Sequence, residues 1–514
     1  AFKIDRQYSK EAILDLYLNA IPYGSNAYGI EAAAEVFFGK NAKDLSVDEA
    51  AFLAALPKAT TTLSPYRTPN TALASRQKQI IERMAALGLI EESQKVEALA
   101  ADTFSRIRPR RDSIVAPHFV VSVLEELDKR YGRETLETAG LHIRTTLDLA
   151  TQDKAEASIM RGVERNRTRN AGNAALVAVE VETGEVMALV GSRDYFDTEI
   201  DGQVNVVLRA RQPGSAFKPF VYARAFEEGY EPASKILDAP VNFGPDRSGR
   251  DSIPQNYSGK SYGLLTMRQA LSMSLNIPAV ETLAVVGVSD AIEFASRLGI
   301  TTLNDPDRYG LSLVLGGAEV KPLDMASAFS VFASEGIRRK PILIRSIERD
   351  GREIYGSLDR EPEEQVIDAE VARRINSILS DNAARTPIFG PASPIAYPDG
   401  SVAAKTGTTQ GFRDAWTVGY TPRLSVAVWT GNNDNTPMAW GSDGIFVAAP
   451  IWRDFMDQMP EYRGEPFVAY STKKNAGPRL IADGEARMYE DSANLPQHAE
   501  KQKKGGKKKK TNKG

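Results

Sequence analysis

Apolar side chains recur at helical spacing over the first hundred residues, between polar segments that contain proline. Residues 11–19 and 73–87 have apolar positions at a period of about 3.6, which predicts amphipathic helices. Ser46 and Glu49 are spaced as a capping box, which predicts a helix that continues through Leu56. Prolines lie in the segments between these stretches, which is typical of loops. This part of the chain is therefore predicted to consist of helices joined by loops.

At Ala175 the pattern changes to one that favours strands. Residues 176–181 and 186–190 flank a short turn and predict a β-hairpin, and residues 415–420 and 424–430 predict a second one. Helices are predicted at residues 118–131, 149–167, 267–275, 289–298, 322–334 and 369–382, and a further strand at residues 141–147. An antiparallel sheet with helices on its faces, an α+β fold within the broad α/β class, is therefore expected.

Composition narrows the class of protein. The chain has 514 residues, enough for two or three domains, and its 42% hydrophobic and 25% charged residues are typical of a globular protein. A formal charge of −3 gives no reason to expect a nucleic-acid partner, although residues 501–514 contain eight lysines and no acid. Cysteine is absent, which excludes thiolate chemistry and cysteine metal sites. The sequence has no run of about 18 apolar residues that would predict a transmembrane helix.

The candidate chemistry lies in three short motifs. Ser215 and Lys218 form S-x-x-K, Ser274 and Asn276 form S-x-N, and Lys405-Thr406-Gly407 follows. The first serine lies 59 residues before the second, which lies 131 residues before the lysine of the third motif. Together the motifs supply a nucleophile, a base, a proton relay and an anion clamp, which acyl transfer needs when no histidine is available.

The setting of Ser215 distinguishes it from other matches to the same short patterns. Gly214 precedes Ser215 and Pro219 follows Lys218, and proline is best tolerated in the first turn of a helix. Ser215 is therefore predicted at a helix start, where backbone N–H groups are unpaired and can face an anion. The other matches, which are typical of helix faces, turns and caps, are Ser75 with Lys78, Ser471 with Lys474, Ser380 with Asn382, and Ser492 with Asn494.

The base is predicted to be a lysine. The three histidines, His118, His142 and His498, lie outside the motif region, which argues against a Ser-His-Asp triad. Free lysine has a pKa of about 10.4. To act as a base near neutral pH its pKa must fall by about three units, which requires roughly 4 kcal/mol of destabilisation of the charged form. Burial and the nearby charge of Lys405 would both lower the pKa of Lys218.

These motifs resemble those of the penicilloyl-serine transferases, the superfamily of penicillin-binding proteins and serine β-lactamases. The middle motif is S-L-N where class A β-lactamases have S-D-N, which favours the penicillin-binding branch. Flanking segments are similar to the transpeptidase domain of class A penicillin-binding proteins at residues 256–257, 268–271, 274–280, 405–409, 414–416 and 419–422. The resemblance implies a five-stranded sheet, an all-helical lobe and an active site between them.

The first hundred residues are similar to the late motifs of the family-51 peptidoglycan glycosyltransferases. The similar segments are residues 8–19, 28–34, 38–40 and 63–66. By this resemblance Lys10, Tyr17 and Asn19 contribute to a sugar or pyrophosphate groove. The family's two catalytic glutamates belong to earlier motifs that this sequence does not contain, so we expect no glycan polymerisation by this chain.

The resemblance also implies a role for each motif residue. Ser215 is the nucleophile, Lys218 is its base, and Ser274 bridges Lys218 and Lys405 and relays the proton to the leaving amine. The substrate peptide and its terminal carboxylate are bound by Asn276, Lys405, Thr406, Gly407 and Thr408. The backbone N–H groups of Ser215 and Thr408 are expected to form the oxyanion hole. Tyr257 and Trp416 either line the cleft or belong to the core, and no metal or cofactor is expected.

Four segments are expected along the chain. They are an incomplete glycosyltransferase part at 1–100, an interdomain linker at 101–172, a transpeptidase domain at 173–462 and a disordered lysine-rich tail at 463–514. The sequence begins with neither a methionine nor a signal peptide, so we expect a fragment of a longer, membrane-anchored parent. The parent is expected to act on the extracytoplasmic side of the cell membrane.

The expected activity is DD-transpeptidation, the cross-linking of peptidoglycan stem peptides, with acylation of Ser215 by β-lactam antibiotics. A lipid-linked disaccharide is expected as a further substrate of the full-length parent. A DD-carboxypeptidase and a non-catalytic penicillin sensor or scaffold stay open as alternatives. A β-lactamase is disfavoured, because the sequence has no well-placed glutamate motif for deacylation.

Overall fold

The computed structural model describes residues 7–25, 27–60, 62–66, 71–108, 114–244, 249, 251–356, 359–471, 479–482 and 485–488. The chain divides into two compact units, Ala1–Ile114 and Val115–Gly514. Residues 115–172 of the predicted linker lie in the second unit. The bounds of the four predicted segments stay predictions.

The first unit is mainly helical, as its apolar spacing predicts. Its helices are α1 (Lys10–Ala20), α2 (Ile30–Phe38), α3 (Val47–Ala55), α4 (Thr71–Ala86) and α5 (Glu92–Ala100), with a short pair of strands, β1 (Pro22–Gly24) and β2 (Ala27–Tyr28). The predicted capping box of Ser46 and Glu49 begins α3. Phe37, Phe38 and Phe52 lie in the core, and the rings of Phe38 and Phe52 meet edge to face at 5.4 Å.

The second unit combines strands and helices. Its strands are β3 (His142–Thr145), β4 (Asn173–Glu180), β5 (Val186–Val190), β6 (Lys235–Asp238), β7 (Gly263–Thr266), β8 (Ile337–Arg338), β9 (Ile344–Arg349), β10 (Arg352–Tyr355), β11 (Glu364–Gln365), β12 (Ala403–Thr408), β13 (Asp414–Tyr420), β14 (Leu424–Gly431), β15 (Arg479–Ala482) and β16 (Glu485–Met488). Its helices are α6 (Pro117–Tyr131), α7 (Arg133–Thr138), α8 (Leu149–Asn166), α9 (Lys218–Glu227), α10 (Met267–Ser272), α11 (Asn276–Val286), α12 (Val288–Arg297), α13 (Pro322–Ala333), α14 (Ala369–Leu379), α15 (Asn382–Phe389), α16 (Gly444–Val447) and α17 (Ala449–Asp457). Among the described residues of both units, none of the helices combines the length and apolar character needed to cross a membrane.

Five strands form a central antiparallel sheet in the order β12-β13-β14-β4-β5, which confirms the expected architecture. The two predicted hairpins are present as β4–β5 and β13–β14. Every residue of β13 and β14 is buried, so side chains on both faces of the sheet are covered. Trp416 pairs with Trp429 in this register and is fully buried, which places Trp416 in the core rather than in the cleft.

Helices cover both faces of the sheet. On one face, α8 and α17 pack together, and Gly162 allows their close approach because a Cβ there would lie 2.1 Å from Cγ1 of Ile451. On the other face, α9 and α13 bring Phe220 and Phe329 into an edge-to-face contact at 5.6 Å. The central strands therefore need apolar residues on both sides, which explains why their sequences are almost continuously apolar.

Two predicted elements differ from the structure. The helix predicted at 369–382 is two helices, α14 and α15, because the carboxylate of Asp381 accepts a hydrogen bond from Ala384 N at 2.9 Å and caps a new helix. The strand predicted at 141–147 is shorter, at β3, and pairs with β9.

The tail predicted at 463–514 is not without structure throughout. Strand β15 pairs with β16 and, in parallel, with β6, where Ile481 lies opposite Ile236 and is fully buried. The prediction of disorder differs from the structure for these strands, because β15 lies between β16 and β6 and so finds a strand partner on each side. The lysine tract at 501–514 lies outside the described residues.

Replacing Trp452 by alanine tests the packing of α17 on the sheet. Trp452 is fully buried, so Trp452→Ala should lower the free energy of unfolding by about 3–5 kcal/mol. Trp440 is 86% exposed, so the control Trp440→Ala should change the free energy of unfolding by no more than about 0.5 kcal/mol. Urea denaturation followed by circular dichroism measures the free energy of unfolding of both variants. Equal losses in Trp452→Ala and Trp440→Ala would contradict the packing of α17 on the sheet.

Candidate active site

Ser215 lies in a short 3₁₀ turn, Gly214–Phe217, that continues directly into α9. Lys218 is the first residue of that helix, and Pro219 occupies its first turn, as the sequence predicts. Gly214 has φ of +54°, and a Cβ there would lie 2.4–2.7 Å from the backbone of Thr408. Only glycine fits both conditions, and its presence brings Ser215 against strand β12.

Lys218 is fully buried and bonds to a single turn of the chain. Its Nζ donates to Ser274 O at 2.7 Å, to Leu275 O at 3.0 Å and to Asn276 Oδ1 at 2.8 Å. Burial, and then the charge of Lys405, lower the pKa of Lys218 well below its ordinary value. Three acceptors match the three donors of an ammonium group, and none of the hydrogen bonds found among the described residues joins Lys218 to Ser215.

The turn at residues 274–276 contacts both lysines. The carbonyl of Ser274 accepts from Lys218, and its hydroxyl accepts from Lys405 Nζ at 2.8 Å. Ser274 has φ of +57°, a conformation that is uncommon outside glycine, and helix α11 begins two residues later at Asn276. The amide of Asn276 is oriented from its other side, since Nδ2 donates to Gln255 O at 2.8 Å.

Lys405 is also buried, at 3% exposure. Its Nζ also donates to the carbonyl of Thr406 at 2.8 Å. Burial, and then the nearby Arg385, lower the pKa of Lys405 to about 7. Arg385 on α15 is itself buried and donates to the carbonyls of Leu379 and Ile395, and burial lowers its pKa to about 10. Sequence reasoning missed Arg385, which no short motif marks.

Strand β12 supplies the rest of the third motif. Thr406 pairs with Thr417, Gly407 with Trp416 and Thr408 with Ala415 in the ladder to β13. A Cβ on Gly407 would lie 2.0 Å from Pro213 O, so the strand can approach the Ser215 turn only with glycine there. Thr408 Oγ1 accepts from Gly444 N at 2.9 Å, which ties β12 to the start of α16.

A cleft of about 390 Å³ joins these elements, and Ser215, Ser274, Asn276, Thr406, Gly407 and Thr408 all line it. Its wall is largely apolar, with contributions from Leu315, Ile388, Phe389, Phe412, Ile445 and Phe446. Tyr257 is 74% exposed at the cleft, and its hydroxyl donates to Asp443 Oδ2 at 2.9 Å. Burial raises the pKa of Asp443, the one carboxylic acid among the described residues that line the cleft.

Neither of the described histidines lines this cleft. His118 is buried, its Nε2 lies 2.9 Å from Ser192 Oγ, and burial lowers its pKa to about 4. His142 lies in β3 and His498 lies outside the described residues. Among the described residues that line the cleft there is no histidine, and Lys218 follows Ser215 by three residues.

The three residues proposed for a sugar groove all lie on α1 of the first unit. Lys10 and Tyr17 are seven residues apart and share one face of the helix, whereas Asn19, nine residues from Lys10, lies on the opposite face. The Asn19 amide donates to Asp15 O at 2.9 Å. The helix places Lys10 and Tyr17 together but does not bring Asn19 to them.

Comparisons with known proteins agree with this geometry. Residues 174–457 match the family described as penicillin binding protein transpeptidase domain, and residues 1–85 match the transglycosylase family. The chain is 33% identical to penicillin-binding protein 2D of Bacillus subtilis, over 92% of this chain and 67% of that protein. It is 31% identical to penicillin-binding protein 1A of Aquifex aeolicus, over 89% and 72% of the two chains.

Two solved structures share the fold. The structure of penicillin-binding protein 1A from Haemophilus influenzae superimposes with a TM-score of 0.74 at 22% identity, over 91% of this chain and 88% of that one. The PonA1 protein of Mycobacterium tuberculosis, in complex with penicillin V, gives a TM-score of 0.59 at 26% identity, over 70% and 97%. From the two matched domains and these relatives, the chain belongs to the class A penicillin-binding proteins, a bifunctional family of peptidoglycan synthesis that joins a transglycosylase to a penicillin-binding transpeptidase domain.

Proposed function

We propose that the second unit is a serine DD-transpeptidase that cross-links peptidoglycan stem peptides through an acyl-enzyme at Ser215. One observation supports this most directly. Two buried lysines, Lys218 and Lys405, both bond to Ser274 beside the cleft that Ser215 lines. Such an arrangement supplies proton transfer without a histidine, and the acyl-transfer chemistry of the family requires that.

In acylation, Ser215 Oγ attacks the carbonyl carbon of the penultimate D-Ala, and neutral Lys218 accepts the hydroxyl proton. A neutral amine donates two N–H bonds rather than three, so one of its bonds to the 274–276 turn opens and its lone pair becomes available. The backbone N–H groups of Ser215 and Thr408 stabilise the oxyanion, and the close approach of Gly214 to Thr408 favours this pairing.

Collapse of the tetrahedral intermediate breaks the C–N bond to the terminal D-Ala. The proton held by Lys218 reaches the leaving amine through the Ser274 hydroxyl, which accepts from Lys405 Nζ at 2.8 Å. Lys218 bonds to the Ser274 carbonyl, so its ammonium group turns from that carbonyl to the hydroxyl in this step. The amine of a second stem peptide then attacks the ester, loses its proton by the reverse route and releases Ser215. Lys405, Thr406 and Thr408 hold the donor's terminal carboxylate, and Asn276 holds its backbone.

A β-lactam follows the same first step, because its ring amide takes the place of the D-Ala-D-Ala bond. The solved PonA1 relative with penicillin V gives this family-level support. Asp443 accepts a hydrogen bond from Tyr257, which disfavours its use as a deacylating base. A long-lived acyl-enzyme, rather than β-lactamase turnover, is therefore expected.

Two alternatives differ from this proposal in their products. A DD-carboxypeptidase would use water as the acceptor in the same cleft. A non-catalytic penicillin sensor or scaffold would form the acyl-enzyme with β-lactam but turn over no peptide. Both alternatives would use the same buried lysines, so the products and not the site geometry separate them from the proposal.

For the first unit the proposal is narrower. Lys10 and Tyr17, with Asn19 near them in sequence, would contact a lipid-linked disaccharide in the parent protein. We expect no polymerisation by these 514 residues, because the family's two catalytic glutamates lie in motifs that this sequence does not contain. The parent is proposed to be anchored in the cell membrane with this chain on its extracytoplasmic side.

Covalent labelling tests the nucleophile and its base. Mass spectrometry after incubation with benzylpenicillin should show one adduct, on Ser215, which Ser215→Ala abolishes. Lys218→Ala should slow adduct formation by about 100-fold or more, the range of a lost general base. Ser75→Ala, which alters another S-x-x-K match, is the control and should label normally. An adduct on another serine, or normal labelling of Lys218→Ala, would contradict the proposal.

The pH dependence of acylation tests the charge of Lys405. The second-order rate constant should rise as Lys218 loses its proton and fall above about pH 7 as Lys405 loses the charge that holds the substrate carboxylate. Arg385→Gln removes the cation that, after burial, lowers the pKa of Lys405, so the alkaline limb should move to higher pH. Arg373→Gln, at a surface ion pair, is the control. If the alkaline limb of Arg385→Gln stays at the wild-type pH, Arg385 does not lower the pKa of Lys405.

Product analysis separates the proposed activity from its alternatives. The protein is incubated with a donor pentapeptide ending in D-Ala-D-Ala and an acceptor stem peptide, and the products are identified by mass spectrometry. A cross-linked dimer that requires Ser215 is the expected product. Release of D-Ala with no dimer would indicate a carboxypeptidase, and neither product with intact β-lactam labelling would indicate a sensor.

A further inference from the structure

We propose that Asp238 and Asn256 are a positioning pair for the proposed base, Lys218. Neither residue lines the cleft among the residues described there. The pair acts through the start of helix α11, whose first residue bonds to Lys218. This inference rests on the proposed function of Lys218.

Asp238 is a buried carboxylate at the end of β6. Its two oxygens accept from Asn256 Nδ2 at 2.8 and 2.9 Å, and one of them also accepts from Tyr262 N at 2.7 Å. All these donors are neutral N–H groups, and burial raises the pKa of Asp238. Burying a carboxylate without a cation is costly, so its place here calls for a specific use.

Asn256 connects that carboxylate to helix α11. Its Oδ1 accepts from the backbone N–H groups of Asn276 at 2.8 Å and Ile277 at 3.2 Å, which have no partner within the helix. Its Nδ2 also donates to Lys260 O at 2.9 Å. Asp238 accepts only, so it fixes which end of the Asn256 amide faces the helix.

The helix has no cap of its own at this end. The residue in the N-cap position is Leu275, whose side chain cannot accept a hydrogen bond, and Ser274 before it has positive φ. The cap therefore comes from Asn256 across the fold. The neighbouring Gln255 O holds the Asn276 amide so that Oδ1 faces Lys218 Nζ.

These contacts form one continuous series from Asp238 through Asn256 and Asn276 to Lys218. All three acceptors of Lys218 belong to residues 274–276. A shift in the start of α11 therefore moves every group that holds the amine, and displacements of about 1 Å cost roughly 100-fold in rate when they misplace reacting groups.

An exchange of the two side chains tests the pair. Asn256→Asp places two carboxylates together, and Asp238→Asn places two amides together without a fixed orientation. The double variant Asp238→Asn/Asn256→Asp restores a donor opposite an acceptor, keeps an acceptor for Tyr262 N and for the helix, and leaves only Lys260 O without its donor. Asn242→Asp, at an exposed Asn–Asp contact of 2.9 Å with Asp251, is the matched control.

The measured quantity is the rate of acylation by a fluorescent penicillin over a range of pH, with the melting temperature of each variant. Each single variant should acylate roughly 100-fold more slowly than the wild type, and the double variant within about tenfold of it. The acidic limb, which reports the proton on Lys218 beside the charged Lys405, should move to lower pH in Asp238→Asn, because the displaced turn then stabilises the ammonium form of Lys218 less. It should return in the double variant, because the Asn276 acceptor returns.

Three results would overturn the inference. They are single variants that acylate at the wild-type rate, a double variant as slow as the singles, and a rate loss equal at every pH that follows the melting temperature. If Asn256→Asp does not fold, the test rests on Asp238→Asn. An acidic limb of Asp238→Asn at lower pH than in the wild type supports the inference, and an unchanged limb overturns it. A wild-type protein that forms no adduct at Ser215 would instead overturn the proposed function, and this inference with it.

Discussion

The burial of two lysine side chains around one turn is the constraint on which the site depends. Lys218 and Lys405 are both buried, both contact Ser274, and neither bonds to a carboxylate among the described residues. An uncompensated buried charge costs several kcal/mol, so both side chains are shifted towards their neutral forms. That shift is what allows a lysine to accept a proton near neutral pH, and the same burial would destabilise the fold if the turn did not supply acceptors.

Close backbone contact makes this burial possible. Gly214 and Gly407 let the Ser215 turn and strand β12 touch, and no side chain would fit in either place. The sheet then holds β12 in register with β13, whose residues are buried on both faces. The sheet thus places Lys405 on a strand that touches the Ser215 turn, and the start of α11 supplies the acceptors of Lys218.

Much of this fold could be predicted from the sequence, because the residues that determine these elements are close together in the chain. The hairpins, the helix start at Ser215 and the capping box at Ser46 each depend on a few adjacent residues. The remaining features depend on distant contacts. Trp416 could be placed in the core only once its partner Trp429 was known, and the role of Arg385 depends on its distance from Lys405 in space. Strand β15 could not be predicted from its own residues, because its partner β6 lies more than two hundred residues earlier in the chain.

The central claim is that Lys218 is neutral at the pH where the protein works. NMR titration of the protein with its lysines isotopically labelled, assigned by comparison with Lys218→Ala, measures that charge directly. We expect the Lys218 signal to titrate well below the ordinary lysine value of about 10.4, and to move upward in Lys405→Ala as the neighbouring charge is removed. A Lys218 that titrates near 10.4, unaffected by Lys405, would contradict the account.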